Sequence, residues 1–338
     1  MRVALPLLQI LDRLGDPQSI RSLTSSLDGI PDTTVRAAVR ALVREGLVDR
    51  IGRDDSPELD KWTAWSPQAT HFHFSTRDVW FRREATVMRS LDASHPPAPV
   101  KQYPGRPLIP LPAPDRSGVL SDTLLARRTW RRFGRAPLSL QDLSTLLGLT
   151  WGVQSWMVNP GHAPMALKTS PSGGARHSVE AYVIALRVSG LPRGAYHFNP
   201  DRHRLTRVGS HATPSLLRTL LPVQPWYQGA SAVFVMTSVF ERVRARYRHP
   251  RAYRGILLEA GHLCQTFCLV ATSLGLAPFC TNAFADSAIE RVIGVDGVGE
   301  SAIYVAGVGT RPPGLAWGPN PARKPLPRLR AAGRAGAR

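Results

Sequence analysis

Apolar residues recur with a helical period over the first 45 residues. The first stripe consists of Leu5, Leu8, Leu11 and Leu14. A second stripe begins after Pro17 and a third after Pro31, where Asp32 or Thr33 can cap the free backbone amides. The inner face of the third stripe consists of Val35, Val39, Leu42 and Val43. Gly46 then supplies a C-cap, so the pattern predicts three short helices.

A two-stranded wing is predicted after these helices. Residues 47–52 read as a strand, residues 53–61 as a turn and residues 62–65 (WTAW) as the returning strand. Three helices followed by such a wing form a winged-helix-like domain. The outer face of the third helix carries Arg36, Arg40 and Arg44. This face suits DNA contact or peptide docking, although charged stripes are usually only solvated.

A proline-rich stretch at 95–115 separates this region from the rest of the chain. Proline favours extended geometry and excludes a regular helix, so the stretch reads as a linker. We therefore predict a winged-helix-like domain with its connecting segment at 1–90 and a linker at 91–118. The main domain then spans 119–328 and a basic tail spans 329–338.

The main domain alternates helical and strand patterns. Helices are predicted at 121–128, 139–149 and 250–274, and strands at 179–188, 231–240 and 300–309. A hairpin follows the first strand, and a loop rich in Gly, Pro and Ser is predicted at 159–175. Long helices alternating with apolar strands indicate an α/β or α+β domain.

Composition narrows the class of protein only in part. The net charge of +19, mostly from arginine, attracts phosphate in nucleic acids, nucleotide cofactors or anionic membranes. An arginine-rich composition accounts for part of this charge, so charge alone does not choose among them. Three cysteines argue against a disulfide framework and for a reducing compartment. Without a predicted membrane span or secretion signal, we expect a cytoplasmic protein.

Two clusters have residue types suited to binding a nucleotide-like ligand. In RRTWRRF at 127–133, Arg127, Thr129 and Arg131 alternate with bulky residues and can donate several hydrogen bonds to a phosphate. In SPSGGARH at 170–177, Gly173 and Gly174 allow the backbone to approach a flat ligand. The second cluster is neither a P-loop nor a dinucleotide-binding fingerprint.

A third cluster invites a metal interpretation that its spacing does not support. His262, Cys264, Cys268 and Cys280 are possible zinc ligands. Cys264 and Cys268 share one helical face, however, and the segment contains no CxxC. Free cysteine is often simply buried, so we expect no metal site.

In chain order, these motifs resemble those of the SagB-type dehydrogenases, the azoline-oxidising branch of the FMN-dependent nitroreductase superfamily. The counterparts are RRTWR at 127–131, PSGGARHSVEAYV at 171–183, the pair Arg246-Tyr247, and LLEAGHLCQ at 257–265 with LGL at 274–276. The segment HFHFSTRDVW at 71–80 is similar to the region that precedes the catalytic domain in that family. The resemblance covers about 120–325.

The resemblance implies an α+β, nitroreductase-like fold with a mostly antiparallel sheet flanked by helices. It also implies noncovalent FMN and a homodimer with both flavins at the interface. The cofactor-binding residues it implies are Arg127, Arg128, Thr129, Arg131, Pro171, Ser172, Gly173, Gly174, Gln265 and Arg323. The arginines and Thr129 would hold the phosphate and ribitol, and the residues from Pro171 to Gly174 would line the isoalloxazine ring.

Two departures from the family pattern bear on the chemistry. Arg246 stands where the family has lysine, and Thr266 stands where asparagine is usual. Lysine can accept a proton, whereas arginine stays protonated. Tyr247 is therefore the expected catalytic base, with Arg246 stabilising anionic charge, and His177 or His262 would be the next candidates.

The resemblance implies an FMN-dependent dehydrogenase that oxidises an azoline or related site in a modified peptide during natural-product (RiPP) biosynthesis. Its partners would be the peptide and other biosynthetic enzymes, with neither nucleic acid nor membrane. One alternative is an NAD(P)H-dependent, nitroreductase-like enzyme that acts on small molecules. Another is a winged-helix DNA-binding regulator with a flavin-sensing domain, which would present Arg36, Arg40 and Arg44 to DNA.

Overall fold

The structure is a computed structural model. It describes residues 9–11, 13–14, 18–44, 48, 60–79, 111–158, 160, 164–209, 212–222 and 224–314. The helices are α1 Ile20–Ser25, α2 Asp32–Arg44, α3 Ser66–Ser75, α4 Val119–Ala126, α5 Leu140–Trp151, α6 Leu216–Leu220, α7 Phe240–Arg244, α8 Ala252–Ser273 and α9 Asp286–Ile293. Short 3-10 helices span Lys61–Trp65, Gly173–Ala175 and Pro225–Gly229.

Six strands form one antiparallel sheet in the order β5-β4-β3-β6-β8-β7. The strands are β3 Val179–Ala185, β4 Gly194–Asn199, β5 Arg204–Gly209, β6 Ala232–Val239, β7 Leu276–Thr281 and β8 Glu300–Thr310. A separate two-stranded sheet pairs β1 Ser155–Met157 with β2 Met165–Leu167. The antiparallel sheet confirms the predicted α+β fold class and excludes the parallel α/β alternative.

Helices cover both faces of the sheet, so the central strands β3 and β6 are almost wholly buried. On one face, α5 and α8 pack against the sheet, where Trp151 stacks on Phe234 and Phe267 packs at a tilt against both rings. On the other face, α6 and α9 enclose a second apolar cluster that contains Phe279. A sheet buried on both faces explains why its strands read as continuous apolar runs.

Local capping accounts for several element boundaries. Ser139 accepts a hydrogen bond from the Asp142 amide and begins α5. The prediction for α4 was too long at its C-terminal end, because Arg127 leaves the helix with φ −58° and ψ 130°. The sequence reading also missed the short elements β7 and α9, although α9 buries Ile289 and Ile293 at helical spacing.

The predicted returning strand at 62–65 is wrong, because these residues form a 3-10 helix. Trp62 and Trp65 are buried against Phe240 and Tyr253 of the main domain. Burying two indole rings there outweighs pairing four residues in an exposed wing. The other wing strand lies almost entirely outside the described residues.

The N-terminal helices have a small core of their own. It consists of Ile10, Leu23, Leu27, Val35, Val39 and Leu42. On α2, Arg36 lies 3.5 Å from Asp32 in an exposed ion pair, and Arg40 is exposed. The side chain of Arg44 lies outside the described part of the chain. The winged-helix arrangement and the predicted domain boundaries therefore remain predictions.

One described helix, α8, is long and apolar enough to cross a membrane by length and composition alone. Half of its most apolar stretch is buried within the protein, where it packs against α5 and strands β3, β7 and β8. A core helix of a folded domain has the same composition, so this feature is weak support for a membrane span.

Candidate active site

A buried carboxylate on α8 holds the glycine-containing loop that leads into β3. Glu259 accepts hydrogen bonds from the hydroxyl of Ser172 at 2.7 Å, the hydroxyl of Ser178 at 3.2 Å and the amide of Val179 at 3.0 Å. Ser172 in turn accepts the amide of His177 at 2.9 Å. Several bonds to one buried charged group fix the loop firmly against the helix.

Two further side chains on the same face of α8 continue this attachment. His262 Nδ1 lies 3.2 Å from the carbonyl oxygen of Pro171, and Thr266 Oγ1 lies 2.7 Å from Ser170 Oγ. Glu259, His262 and Thr266 follow a helical i, i+3, i+7 spacing, which places them on one side of α8. Thr266, a departure from the family pattern, therefore has a structural partner here.

The loop reaches the Arg246-Tyr247 pair at Gly174. This glycine has φ +61°, and a Cβ built on it would lie 2.5 Å from the Tyr247 hydroxyl and 3.1 Å from Arg246 Nε. Any larger residue would therefore be both strained and in collision with the pair. Two motifs separated by some 70 residues in sequence thus meet at one point.

Tyr247 is held from the opposite side by the N-terminal segment. The indole Nε1–H of Trp65 donates a 2.8 Å hydrogen bond to the carbonyl of Tyr247. The Arg246 guanidinium carbon lies 5.6 Å from the centre of the Tyr247 ring, within the range of a cation–π contact. The hydroxyl is left beside Gly174, where it can meet a ligand.

A cavity of about 470 Å³ adjoins this meeting point. Its wall includes Ala175 and Ala245, the direct neighbours of Gly174 and Arg246. Its ionisable lining residues are Lys168, Arg176, His177, Glu180, His197, Asp201 and Arg242. This volume suits a small molecule or one residue of a peptide.

Glu180 of β3 is the negative centre of the cavity wall. His197 Nε2 lies 2.6 Å from one of its carboxylate oxygens, and Arg242 binds the other. Burial alone would raise the pKa of Glu180, but the bonds from His197 and Arg242 outweigh it and lower the pKa to about 2. The carboxylate is thus ionised and already occupied by its neighbours.

Lys168 lies directly after β2 and lines the same cavity. Burial lowers the pKa of its amine, an effect that the charges of Glu180 and Glu259 only partly offset. Burial, followed by the nearby charge of Lys168, also lowers the pKa of His177. The His177 ring Nε2 lies 2.9 Å from the carbonyl of Ala166, which ties the two ends of this loop together.

The segment at 127–131 lies at the edge strand β7. The amide of Trp130 donates to the carbonyl of Pro278 at 2.9 Å, and its ring is buried. Arg131 lies over the ring of Trp226, at 5.6 Å from its centre. Arg127, at the start of the segment, is half-buried.

The remaining predicted cofactor residues have differing surroundings. Arg128 donates to the carbonyl of Leu125 at 2.9 Å, and Thr129 is half-buried. Gln265 is exposed on α8, away from the buried face that the cysteines share. Arg323 lies outside the described residues. No described contact joins the 127–131 segment to the 171–174 loop within this chain.

The three cysteines of the chain converge although they lie on different elements. Their sulfur atoms lie within 4.8 Å of one another, with Cys264 and Cys268 from α8 and Cys280 from β7. The sequence reading recognised the shared helical face but not the contribution of β7. The cluster offers three ligand atoms, yet all three side chains also belong to the apolar core between α8 and the sheet.

Of the cavity wall, sequence reasoning identified only His177, as an alternative base. Glu180 in the wall and Glu259 beneath the loop lie inside motifs that served only as family markers. Lys168 was not singled out, although the chain has only four lysines among its 43 basic residues. The rarity of lysine in this chain was the sequence feature that could have drawn attention to Lys168.

Comparison with known protein families identifies the family of this chain. The model of the nitroreductase family matches residues 124–310, more than half of the chain, and the protein belongs to this family of oxidoreductases. A Methanocaldococcus jannaschii protein named as a nitroreductase, MJ1384, is 32% identical over 174 residues, which cover 52% of this chain and 83% of the relative.

The particular branch follows from longer matches. The trifolitoxin-processing protein TfxB of Rhizobium leguminosarum bv. trifolii is 29% identical over 318 residues, which cover 85% of this chain and 83% of TfxB. In the Escherichia coli microcin synthetase McbBCD complex with truncated pro-MccB17, one chain superimposes with a TM-score of 0.55 and 21% identity, covering 76% of this chain and 98% of that chain. The match to TfxB confirms the predicted resemblance to the SagB type, and the superposition shows a shared fold.

Proposed function

We propose that this protein is an FMN-dependent dehydrogenase that oxidises an azoline, or a related ring, in a modified peptide during peptide natural-product biosynthesis. The observation that carries the proposal is the meeting of the Gly173-Gly174 loop with Arg246-Tyr247 beside a ligand-sized cavity. The similarity to a peptide-processing protein over most of the chain supports the same substrate class.

The residues present fit an FMN molecule. Gly173 is exposed, and a Cβ built on it would meet nothing within 4 Å, so the loop can approach a flat ring. Arg127 and Arg131 form no ion pair with any described carboxylate, which leaves both guanidinium groups for a phosphate. When bound, FMN would supply the hydride acceptor, while Tyr247 and Arg246 would contact the substrate ring at Gly174.

A homodimer would complete the site. No described contact joins the glycine loop to the arginine segment within one chain, so we propose that a second copy helps to enclose the flavin between them. The α4 helix, which precedes Arg127, has no buried residue, and Val119 and Leu120 are 83% and 68% exposed. An apolar helix beside the cofactor segment is a suitable surface for a second copy.

The N-terminal helices and the compartment form the last part of the proposal. The helices with the Ile10–Leu42 core would recruit the peptide, because they have a core of their own and exposed arginines on α2. Three cysteines with free thiols at close range support a reducing compartment such as the cytoplasm.

The test is anaerobic reduction of the purified protein. The protein should be yellow and release FMN on denaturation, and a synthetic peptide with a single thiazoline should bleach the flavin absorbance. Bleaching by NADPH but not by the peptide would favour the small-molecule nitroreductase instead. A colourless protein that cannot be reconstituted with FMN would contradict the proposal altogether.

A further inference from the structure

Lys168 is an unpaired amine in the wall of the active-site cavity. It makes no hydrogen bond and no ion pair within 4 Å with any residue that the structure describes. The nearby carboxylates already have other partners, since Glu180 binds His197 and Arg242, and Glu259 binds the 172–179 loop. The Lys168 amine therefore does not neutralise a described carboxylate through a direct ion pair.

The position of Lys168 is fixed although its amine is free. The Thr169 hydroxyl donates to the carbonyl of Leu149 at 2.6 Å, and Ser170 bonds to Thr266. On the preceding side, Ala166 pairs with Trp156 and accepts from His177. A side chain that projects from a backbone held on both sides can be aimed at a ligand.

The proposed reaction needs a proton acceptor at this place. In a thiazoline, the C5–H bond breaks and its electron pair leaves as hydride to oxidised FMN. The C4–H bond breaks to release a proton, and its electron pair becomes the new C4=C5 double bond. The ring is oxidised and the flavin reduced, so the balance is complete once a neutral base takes the proton.

We propose that Lys168 is this base: its side chain lines the cavity next to the 170–179 loop, and its amine takes the proton that the substrate ring loses. The inference rests on the proposed function. In a chain that uses arginine at nearly every basic position, lysine at this site is the side chain that can exist as a neutral amine, whereas arginine cannot.

The surrounding charges determine how the amine titrates. The titratable and charged groups around Lys168 come from its own loop and from five neighbouring elements. They are Arg176 and His177 of the loop, Glu180 of β3, His197 of β4, Asp201 of the β4–β5 turn, Arg242 of α7 and Glu259 of α8. Burial and Arg242 favour the neutral amine, and the two glutamates favour the ammonium form. Burial is the largest effect, so the neutral form is more populated near neutral pH than in an exposed lysine.

This assignment changes the role of Arg246-Tyr247. With Lys168 as the base, the Tyr247 hydroxyl orients the substrate ring at Gly174, and Arg246 neutralises negative charge there. Both would contact substrate without taking up the proton, which explains how arginine can stand where the family has lysine.

The first test needs no substrate. The holoenzyme is labelled briefly with acetic anhydride over a range of pH, and peptide mapping gives the extent of reaction at Lys168 and at exposed Lys61. We expect the midpoint of Lys168 to lie at lower pH than that of Lys61. Equal midpoints would overturn the assignment.

The second test measures anaerobic flavin bleaching by the thiazoline peptide against pH in Lys168→Arg, with Lys61→Arg as the matched control. Lys168→Arg should keep its FMN but lose roughly 100-fold or more of the rate, together with the pH inflection. Ethylamine should partly restore Lys168→Ala. A lysine that only binds a substrate carboxylate would be replaced successfully by arginine, so a near-normal rate in Lys168→Arg would overturn the proposal.

The two failures can be told apart. A wild type that holds FMN but is not bleached by the peptide contradicts the proposed function. The labelling midpoints then show by themselves whether Lys168 titrates at lower pH than Lys61, because they do not depend on the substrate.

Discussion

The loop at 170–179 and the segment at 127–131 are both expected to hold the flavin, but their polar groups are satisfied differently. In the loop, Ser172, Ser178 and Val179 all bond to one buried carboxylate, Glu259. In the segment, Trp130 is anchored by its amide and its buried ring, while the cations of Arg127 and Arg131 have no carboxylate partner among the described residues. The loop is therefore shaped before a ligand arrives, whereas the segment needs the ligand's own charge to complete it.

The largest expected effect is at Tyr247, where the loop meets the catalytic pair. Tyr247→Phe should keep the flavin and the dimer but reduce anaerobic bleaching by roughly 100-fold, because it removes the hydroxyl that lies beside Gly174. If Tyr247 is the base instead of Lys168, this variant will also lose the pH inflection. Equal bleaching rates in wild type and Tyr247→Phe would remove Tyr247 from the chemistry.

A pair of glycine substitutions tests whether the shape of the loop matters. Gly174→Ala should lower turnover at least about tenfold and destabilise the fold by about 1–2 kcal/mol, because it combines φ +61° with a contact of 2.5 Å to Tyr247. Exposed Gly255→Ala on α8 is the matched control, since nothing lies within 4 Å of its Cβ and the residue has no proposed role in the site. Flavin reduction and thermal unfolding measure the two effects, and similar losses in both variants would refute this account.

The arginine segment should affect cofactor affinity without affecting the fold. Replacing either Arg127 or Arg131 with alanine should raise the Kd for FMN roughly 10- to 100-fold, because each charge-assisted bond contributes about 1.5–3 kcal/mol, and the double variant should lose more than either single variant. The effect should shrink at high salt. Exposed Arg132→Ala is the control, and fluorescence titration of the apoprotein gives the Kd. Unchanged affinity in the double variant would locate the phosphate elsewhere.

The smallest expected effect on turnover near neutral pH comes from Glu180, which should instead produce an acid-dependent loss of stability on the loop side. The pKa of Glu180 is lowered to about 2, so its contribution is present above the ordinary glutamate range and is lost as pH falls from about 4.5 toward 2. The contribution is roughly 3 kcal/mol at most. Urea unfolding at several pH values should show a steeper acid dependence in wild type than in Glu180→Gln. Parallel curves would exclude this contribution.

Elements stabilised by interactions between residues near in sequence were predicted correctly, whereas elements that depend on distant residues were not. Helix α8 and strands β3, β6 and β8 were predicted within a few residues, because a core helix and buried strands have strong local patterns. The strand predicted at Trp62–Trp65 failed because the two rings bury against residues about 180 positions away. β7 was missed because only its place at the edge of the sheet beside β8 makes it a strand.

Sequence by itself determined the family, the clusters of arginine and glycine, and the pairing of Arg246 with Tyr247, because each depends on residue types at short spacing. Tertiary structure alone decided that Gly174 meets Tyr247, that Glu259 fixes the loop, and that Lys168 lines a cavity with no bonded partner among the described residues. Those contacts depend on how α8 crosses the sheet. Burial and charge at Lys168 are sums over many elements, so no local pattern could reveal them.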